Sequence, residues 1–218
     1  MTTRLAVFDC DGTLSDGQGA VCGAMAQAFG ACGLVAPPSH QVRRIVGLSL
    51  PVAVRRLAPD STEEDVARLV DAYKRAFFLA RTEGRVAEPL FDGVAELLRV
   101  LRRAGWQLGV ATGKSDRGLA GLLALHGLDG LFATLQTADR HPSKPDPAML
   151  EAAMAEAGVA PAVTVMIGDT TYDIEMARAA GVRALGVSWG YHAPAELVAA
   201  GAEAVAADAA ELQEMLDG

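Results

Sequence analysis

Aromatic side chains are scarce in this chain of 218 residues, at 5%, and cysteines number only three. Cys10, Cys22 and Cys32 form no metal-ligand spacing, and an odd count leaves one thiol outside any disulfide scheme, so reduced thiols in a cytoplasm are expected. Cations are also in deficit: 19 Lys and Arg stand against 27 Asp and Glu, a formal net charge of -8. Nucleic acid or an anionic membrane would need a basic face, so neither partner is expected; a small anionic substrate can still bind through a local cluster of cations. No apolar run is long and uninterrupted enough to span a bilayer, and Met1-Thr2-Thr3-Arg4 leads into the first apolar run with no room for a signal peptide. Internal repeats, low-complexity tracts and Gly/Ser linkers are missing too.

What remains is a chain with 51% hydrophobic residues, rich in Ala, Leu, Val and Gly, which suits helices packed on a sheet. Its length fits one domain, or one domain carrying a smaller insert. The most informative stretch runs from Leu5 to Leu14, where an apolar run meets Asp9-Cys10-Asp11-Gly12-Thr13. An apolar run with no helical spacing reads as a strand buried on both faces. Side chains two apart then point the same way, so Asp9 and Asp11 project together at the strand's carboxyl end while Cys10 faces elsewhere as a small buried side chain. Open α/β sheets bind ligands at that end. Two neighbouring carboxylates repel unless a cation intervenes or one keeps a proton, so the pair implies a divalent metal or acid/base chemistry. On these residues alone, solvated turn aspartates are the competing reading, because Asp-Gly is ordinary turn chemistry.

Beyond Leu14 the pattern is purely helical to about Glu88. Helices are expected over Gly19 to Cys32, from Ser39 through Val46, from Pro51, and over a long amphipathic segment opened by a Ser61/Glu64 capping box. A block this long between two strands exceeds an ordinary crossover and reads as an inserted cap. From Pro89 onward helices and strands alternate, with strands expected at Trp106 to Ala111, Ala133 to Thr137, Val163 to Ile167, Arg183 to Val187 and Glu203 to Ala206. The fold class is therefore α/β: a doubly wound parallel sheet (1–14 and 89–218) with an all-helical cap (15–88). His40, His126, His141 and His192 share no metal-site spacing and read as surface or loop residues, and Trp106 and Trp189 as packing.

Four strand ends or following loops carry polar residues: Asp9/Asp11, Thr112-Gly113-Lys114, Lys144 and Asp169/Asp173. In this arrangement the sequence resembles the haloacid dehalogenase superfamily, and within it the subgroup similar to phosphoglycolate phosphatase. Asp-x-Asp-Gly-Thr stands as Asp9 to Thr13, the strand-ending Thr as Thr112, the Lys as Lys144 in Ser-Lys-Pro-Asp-Pro, and Gly-Asp-x-x-x-Asp as Gly168 to Asp173. Ser15-Asp16-Gly17 departs from the Val-Asp-Ser that relatives often carry, which loosens inference about the hinge.

The resemblance implies a Mg2+-dependent phosphatase in which Asp9 is the nucleophile and Asp11 the general acid and then base. Metal ligands would be Asp9, the Asp11 backbone carbonyl and Asp169. Thr112, the Gly113 amide and Lys144 would hold phosphoryl oxygens, with Asp173 and Lys114 in support. Asp173 also reads as an N-cap for a helix at Ile174, and Lys114 as an exposed lysine at a helix start. In the cap, Gly47-Leu48-Ser49-Leu50, Arg43 and Arg44 are candidates to face the substrate. The first substrate to try is 2-phosphoglycolate. Pyrophosphatase, sugar-phosphate phosphatase and phosphomutase are alternatives on the same core. A haloacid dehalogenase has no need of Asp11, a receiver domain is about half this length, and a silent regulatory module would not keep all four motifs. Monomer and homodimer are not distinguished.

Overall fold

In the computed structural model, which describes residues 3–217, six parallel strands form one sheet. They are β1 (Arg4–Phe8), β2 (Trp106–Thr112), β3 (Thr134–Thr137), β4 (Thr164–Gly168), β5 (Arg183–Val187) and β6 (Ala204–Ala206), in the order β3-β2-β1-β4-β5-β6. Between β1 and β2 come α1 (Gln18–Ala31), α2 (Ser39–Arg43), α3 (Leu50–Leu57), α4 (Glu63–Thr82) and α5 (Val94–Arg103). The later crossovers carry α6 (Asp116–Leu125), α7 (Ala148–Ala157), α8 (Thr171–Ala179) and α9 (Pro194–Ala200), and α10 (Ala209–Asp217) follows β6.

Strand β1 explains why the sheet is covered on both sides. Its alternate residues Leu5 and Val7 pack with Met149 and Leu150 of α7 and Ile174 of α8. Ala6, Phe8 and the following Cys10 pack on the other face with Leu98 and Leu101 of α5 and Leu122 of α6. A strand buried on both faces has no polar alternation, which is why it reads as a continuous apolar run. Because β1 lies between β2 and β4, successive crossovers leave it in opposite directions, and a crevice opens where the carboxyl ends of β1 and β4 meet.

Helices α1 to α4 bury a core of their own, built from Met25, Phe29, Val42, Val54, Leu69 and Val70. Helix α5 instead joins the sheet, through Val94, Leu97, Leu98 and Leu101. The chain leaves for this helical layer and returns from it along adjacent paths: the Asp16 N–H donates to the Pro89 carbonyl at 2.8 Å, and the Phe91 N–H to that of Leu14 at 3.0 Å.

Local corrections concern helix starts. Helix α4 begins at Glu63, so its capping box is Thr62 and Asp65 rather than Ser61 and Glu64. The Thr62 hydroxyl accepts from the Asp65 N–H at 3.2 Å, while the Ser61 carbonyl is taken by Arg55. Pro38, not Ser39, holds the N-cap position of α2, and that helix stops at Arg43. Beyond it the chain continues in tighter turns to Gly47, whose φ of +96° reverses the direction. Thr62→Ala should therefore lower unfolding stability by about 1 kcal/mol, whereas Ser61→Ala should change it by less than ~0.5 kcal/mol; urea denaturation of the two variants distinguishes the caps.

Candidate active site

The crevice is built from backbone first. Asp9 continues β1 by one residue, its N–H donating to the Ile167 carbonyl of β4 at 2.9 Å. The chain then folds tightly, with the Leu14 and Ser15 N–H groups both donating to the Cys10 carbonyl. Gly12, at φ +95°, sits where a Cβ would lie 2.2 Å from Asp169 Oδ2. Both the turn and the close approach thus exclude a side chain. Gly190 is pressed against the same side chain, where a Cβ would lie 2.2 Å from that of Asp169. Asp169 is oriented by two donors, the Thr13 hydroxyl at 2.8 Å on Oδ1 and the Tyr191 N–H at 2.9 Å on Oδ2.

Asp173 lies one turn along α8 at its third position, not at an N-cap before Ile174. The helix starts earlier, at Thr171, with Thr170 as N-cap. Asp173 Oδ2 accepts from the Thr170 N–H at 3.0 Å and hydroxyl at 2.7 Å, while Oδ1 accepts from Lys144 Nζ at 2.6 Å. Capping and support of Lys144 are therefore both done by one carboxylate, each oxygen taking one task.

Asp9, Asp169 and Asp173 are fully buried, and one oxygen from each lies within 4.8 Å of the others. Lys144 Nζ approaches Asp9 Oδ1 at 2.8 Å, off the line of a hydrogen bond, so neither Asp9 oxygen has a hydrogen-bond donor among the described residues. Of these three carboxylates, Asp9 and Asp173 pair with the Lys144 ammonium, and Asp169 pairs with no cation among the described residues. Burial pushes the Asp9 carboxyl up to about 7, against the pull of Lys144 and with the help of Asp173. Burial and the neighbouring Asp9 and Asp173 likewise hold Asp169 well above the carboxylate range. For Lys144, burial alone would lower the pKa, but Asp173 and Asp9 outweigh it and raise it. Excess buried negative charge, with two acceptor oxygens lacking donors, fits a divalent cation held by Asp9 and Asp169.

Asp11 lies beside this cluster in a second network. Lys114 Nζ donates to its Oδ1 at 2.8 Å and Oδ2 at 3.1 Å, and also to Glu88 Oε1 at 2.8 Å. Arg81 of α4 holds the other Glu88 oxygen at 2.6 Å. Lys114 is not the exposed lysine expected: its side chain is 9% exposed. Burial would lower its pKa, but Asp11 foremost holds it well above the ordinary value. Glu88 carried no signal in the sequence, because what matters is the buried partner it meets across the fold; Thr13 stood in the Asp9 to Thr13 motif, and its hydroxyl on Asp169 is what the fold adds.

Thr112 ends β2, buried, with its oxygen accepting the Lys114 N–H at 3.2 Å, so its own proton is available to a ligand. Gly113 is covered by the loop between α2 and α3: a Cβ there would meet the Leu48 and Gly47 carbonyls at 2.5 and 2.6 Å. The Ser49 N–H donates to Ser143 Oγ at 2.9 Å, tying that loop to the segment that carries Lys144. In this structure Arg43 reaches Gln18 at 3.4 Å, and Arg44 pairs with Glu196 at 2.7 Å.

His192 lies in the loop between β5 and α9, as expected, but is buried there. Its Nδ1 accepts the Thr171 N–H at 3.1 Å, its Nε2 lies 3.2 Å from the Arg44 carbonyl, and burial lowers its pKa. Trp189 donates to the Thr13 carbonyl at 3.1 Å and packs against Phe91, steadying the tight loop.

A doubly wound sheet with aspartates converging where the carboxyl ends of β1 and β4 meet, beside a helical insert, defines a hydrolase class. The chain belongs to the haloacid dehalogenase-like hydrolases, whose family model matches residues 6–187. It is 37% identical over 202 residues to the "Probable phosphatase IndB" of Dickeya dadantii, covering 90% of this chain and 86% of that one. To the phosphoglycolate phosphatase of Pseudomonas putida it is 33% identical over 192 residues, 87% of this chain and 71% of that one. A hydrolase structure from Pseudomonas syringae superposes with a TM-score of 0.86 at 26% identity, over 99% of this chain and 98% of that one.

Two measurements probe the carboxylate cluster. Asp9 binds its proton more tightly in the folded chain, at about 7, than at the ordinary carboxylate value of 3.8, so its contribution to stability is full below the lower value and lost as pH rises through the upper. In the presence of a chelator, Asp9→Asn should gain in melting temperature relative to the parent between about pH 4 and 7.5, read by circular dichroism; parallel curves would contradict the shift. Gly12→Ala should displace Asp169 and weaken divalent-cation affinity roughly 10- to 100-fold in titration calorimetry, with the far-ultraviolet spectrum retained.

Proposed function

We propose that the protein is a Mg2+-dependent phosphatase acting on a small phosphorylated metabolite through an aspartyl-phosphate, with 2-phosphoglycolate the first substrate to test. The observation that carries this reading is Asp9: buried, at the sheet's switch point, with both oxygens lacking donors beside Lys144. Its relatives named as phosphatases and phosphoglycolate phosphatases support the same direction.

In this reading an Asp9 oxygen attacks phosphorus and the ester bond to the leaving oxygen breaks. Asp11 gives that oxygen its proton, then takes one from the water that cleaves the acyl phosphate, returning Asp9 as carboxylate and releasing phosphate. Lys144, the Thr112 hydroxyl and the Gly113 amide hold phosphoryl oxygens, and Asp173 fixes Lys144 through its 2.6 Å contact. Asp9, Asp169 and the Asp11 backbone carbonyl would hold magnesium, which when bound would supply positive charge to offset repulsion between nucleophile and phosphoryl group.

Residues 15–88 act as the cap: the 47–49 loop seals the phosphoryl site and excludes water. Because Asp9 is wholly buried beneath it, the substrate can enter only when that loop moves aside.

Phosphate release from a metabolite panel, with and without magnesium, tests the proposal. Asp9→Asn should lower kcat at least about a thousandfold while leaving the fold intact, and chelation should abolish turnover; activity surviving either treatment would remove Asp9 or the cation from the mechanism.

A further inference from the structure

Between the helical layer and the sheet lies a cleft of about 680 Å³ with Asp11 and Lys114 at one side. Its size falls within the range of about 300–1,000 Å³ that accommodates drug-sized ligands. The walls are mostly apolar: Val21, Met25 and Leu48 on one side, and Tyr73, Phe77 and Phe78 along one stripe of α4. Tyr73 and Phe77 stack at 5.9 Å between ring centroids, so part of this wall is a preformed aromatic surface. A chain with only 5% aromatics places three of them here.

The cations of this cleft are distributed unlike those of a carboxylate site. Lys114, the one beside Asp11, already faces two carboxylates, those of Asp11 and Glu88. Arg81 is paired to Glu88 at 2.6 Å and lies over the Phe77 ring. Lys74 and Arg117 are exposed, and Arg117 lies over the Phe78 ring at 5.0 Å. The carboxylate of a two-carbon acid such as 2-phosphoglycolate would fall within a few bonds of the ester oxygen, close to Asp11. There it meets an ammonium already shared between Asp11 and Glu88, and a body that small would leave most of the cleft filled with water.

We infer that the preferred substrate is the phosphate monoester of an uncharged, ring-sized and largely apolar alcohol, whose body lies along Leu48, Tyr73 and Phe77 while the ester oxygen faces Asp11. This rests on the phosphatase reading above and specifies its leaving group. The reaction is the same displacement, with the apolar alcohol departing with the Asp11 proton.

Benzyl phosphate, ethyl phosphate and 2-phosphoglycolate separate the possibilities, since the first two are alkyl esters that differ mainly in apolar surface. With magnesium, kcat/KM for benzyl phosphate should exceed that for ethyl phosphate by at least about tenfold, and should also exceed that for 2-phosphoglycolate. Phe77→Ser should reduce the benzyl-to-ethyl ratio about tenfold, and Phe77→Leu, which keeps apolar volume, should retain most of it. A preference for 2-phosphoglycolate, a ratio near one, or a ratio indifferent to Phe77→Ser while phosphatase activity persists would overturn the inference and leave the phosphatase reading standing. Absence of phosphate release from all three esters and from p-nitrophenyl phosphate would instead overturn that reading, and this inference with it.

Discussion

Repulsion among buried carboxylates is the constraint around which this molecule is arranged. Asp9, Asp169 and Asp173 converge from the ends of two adjacent strands and the first turn of a helix, with no exposure to water. Ionised groups in such a place are costly unless paired and hydrogen-bonded. The chain supplies partners unevenly: Asp173 is fully satisfied, Asp169 has a donor on each oxygen, and Asp9 has an ammonium nearby but no hydrogen bond. The incompletely compensated group is the one at the sheet's switch point, the place where open α/β sheets bind ligands.

The sheet meets this demand through rigidity. Asp9 and Asp169 extend from β1 and β4, which are hydrogen-bonded to each other and packed on both faces. The carboxylates therefore cannot separate to relieve their repulsion without breaking strand pairing. Glycines provide the clearance: Gly12 and Gly190 both lie against Asp169, and Gly168 leaves room for Asp173, which a Cβ would meet at 2.3 Å. Preorganised charge of this kind costs stability and is what an electrostatic site requires.

Asp11 is held differently. Its partner Lys114 comes from the loop after β2, Glu88 from the segment returning from the helical layer, and Arg81 from α4. Charges from core and cap thus alternate through the cleft. The position of α4, and of its aromatic stripe, is coupled to the position of Lys114 on Asp11.

The strands, their order of appearance and the polar residues placed at their ends were legible in the sequence because each depends on local pattern: an apolar run, then a turn, then an aspartate, threonine or lysine. Val94 to Arg103 as a helix and Arg183 to Val187 as a strand follow from periodicity alone. Only tertiary structure could decide burial and partnership. Lys114 looks like any lysine before a helix until Asp11 and Glu88 close around it, and His192 looks like a loop residue until the Arg44 carbonyl and the start of α8 enclose it. The N-cap of α4 shifted by one residue because Ser61 and Thr62 are chemically equivalent and the helix start, set by packing, chooses between them. Sequence determines which groups a strand end presents; the energies that give those groups a role depend on distance and exclusion of water, which exist only once the chain has folded.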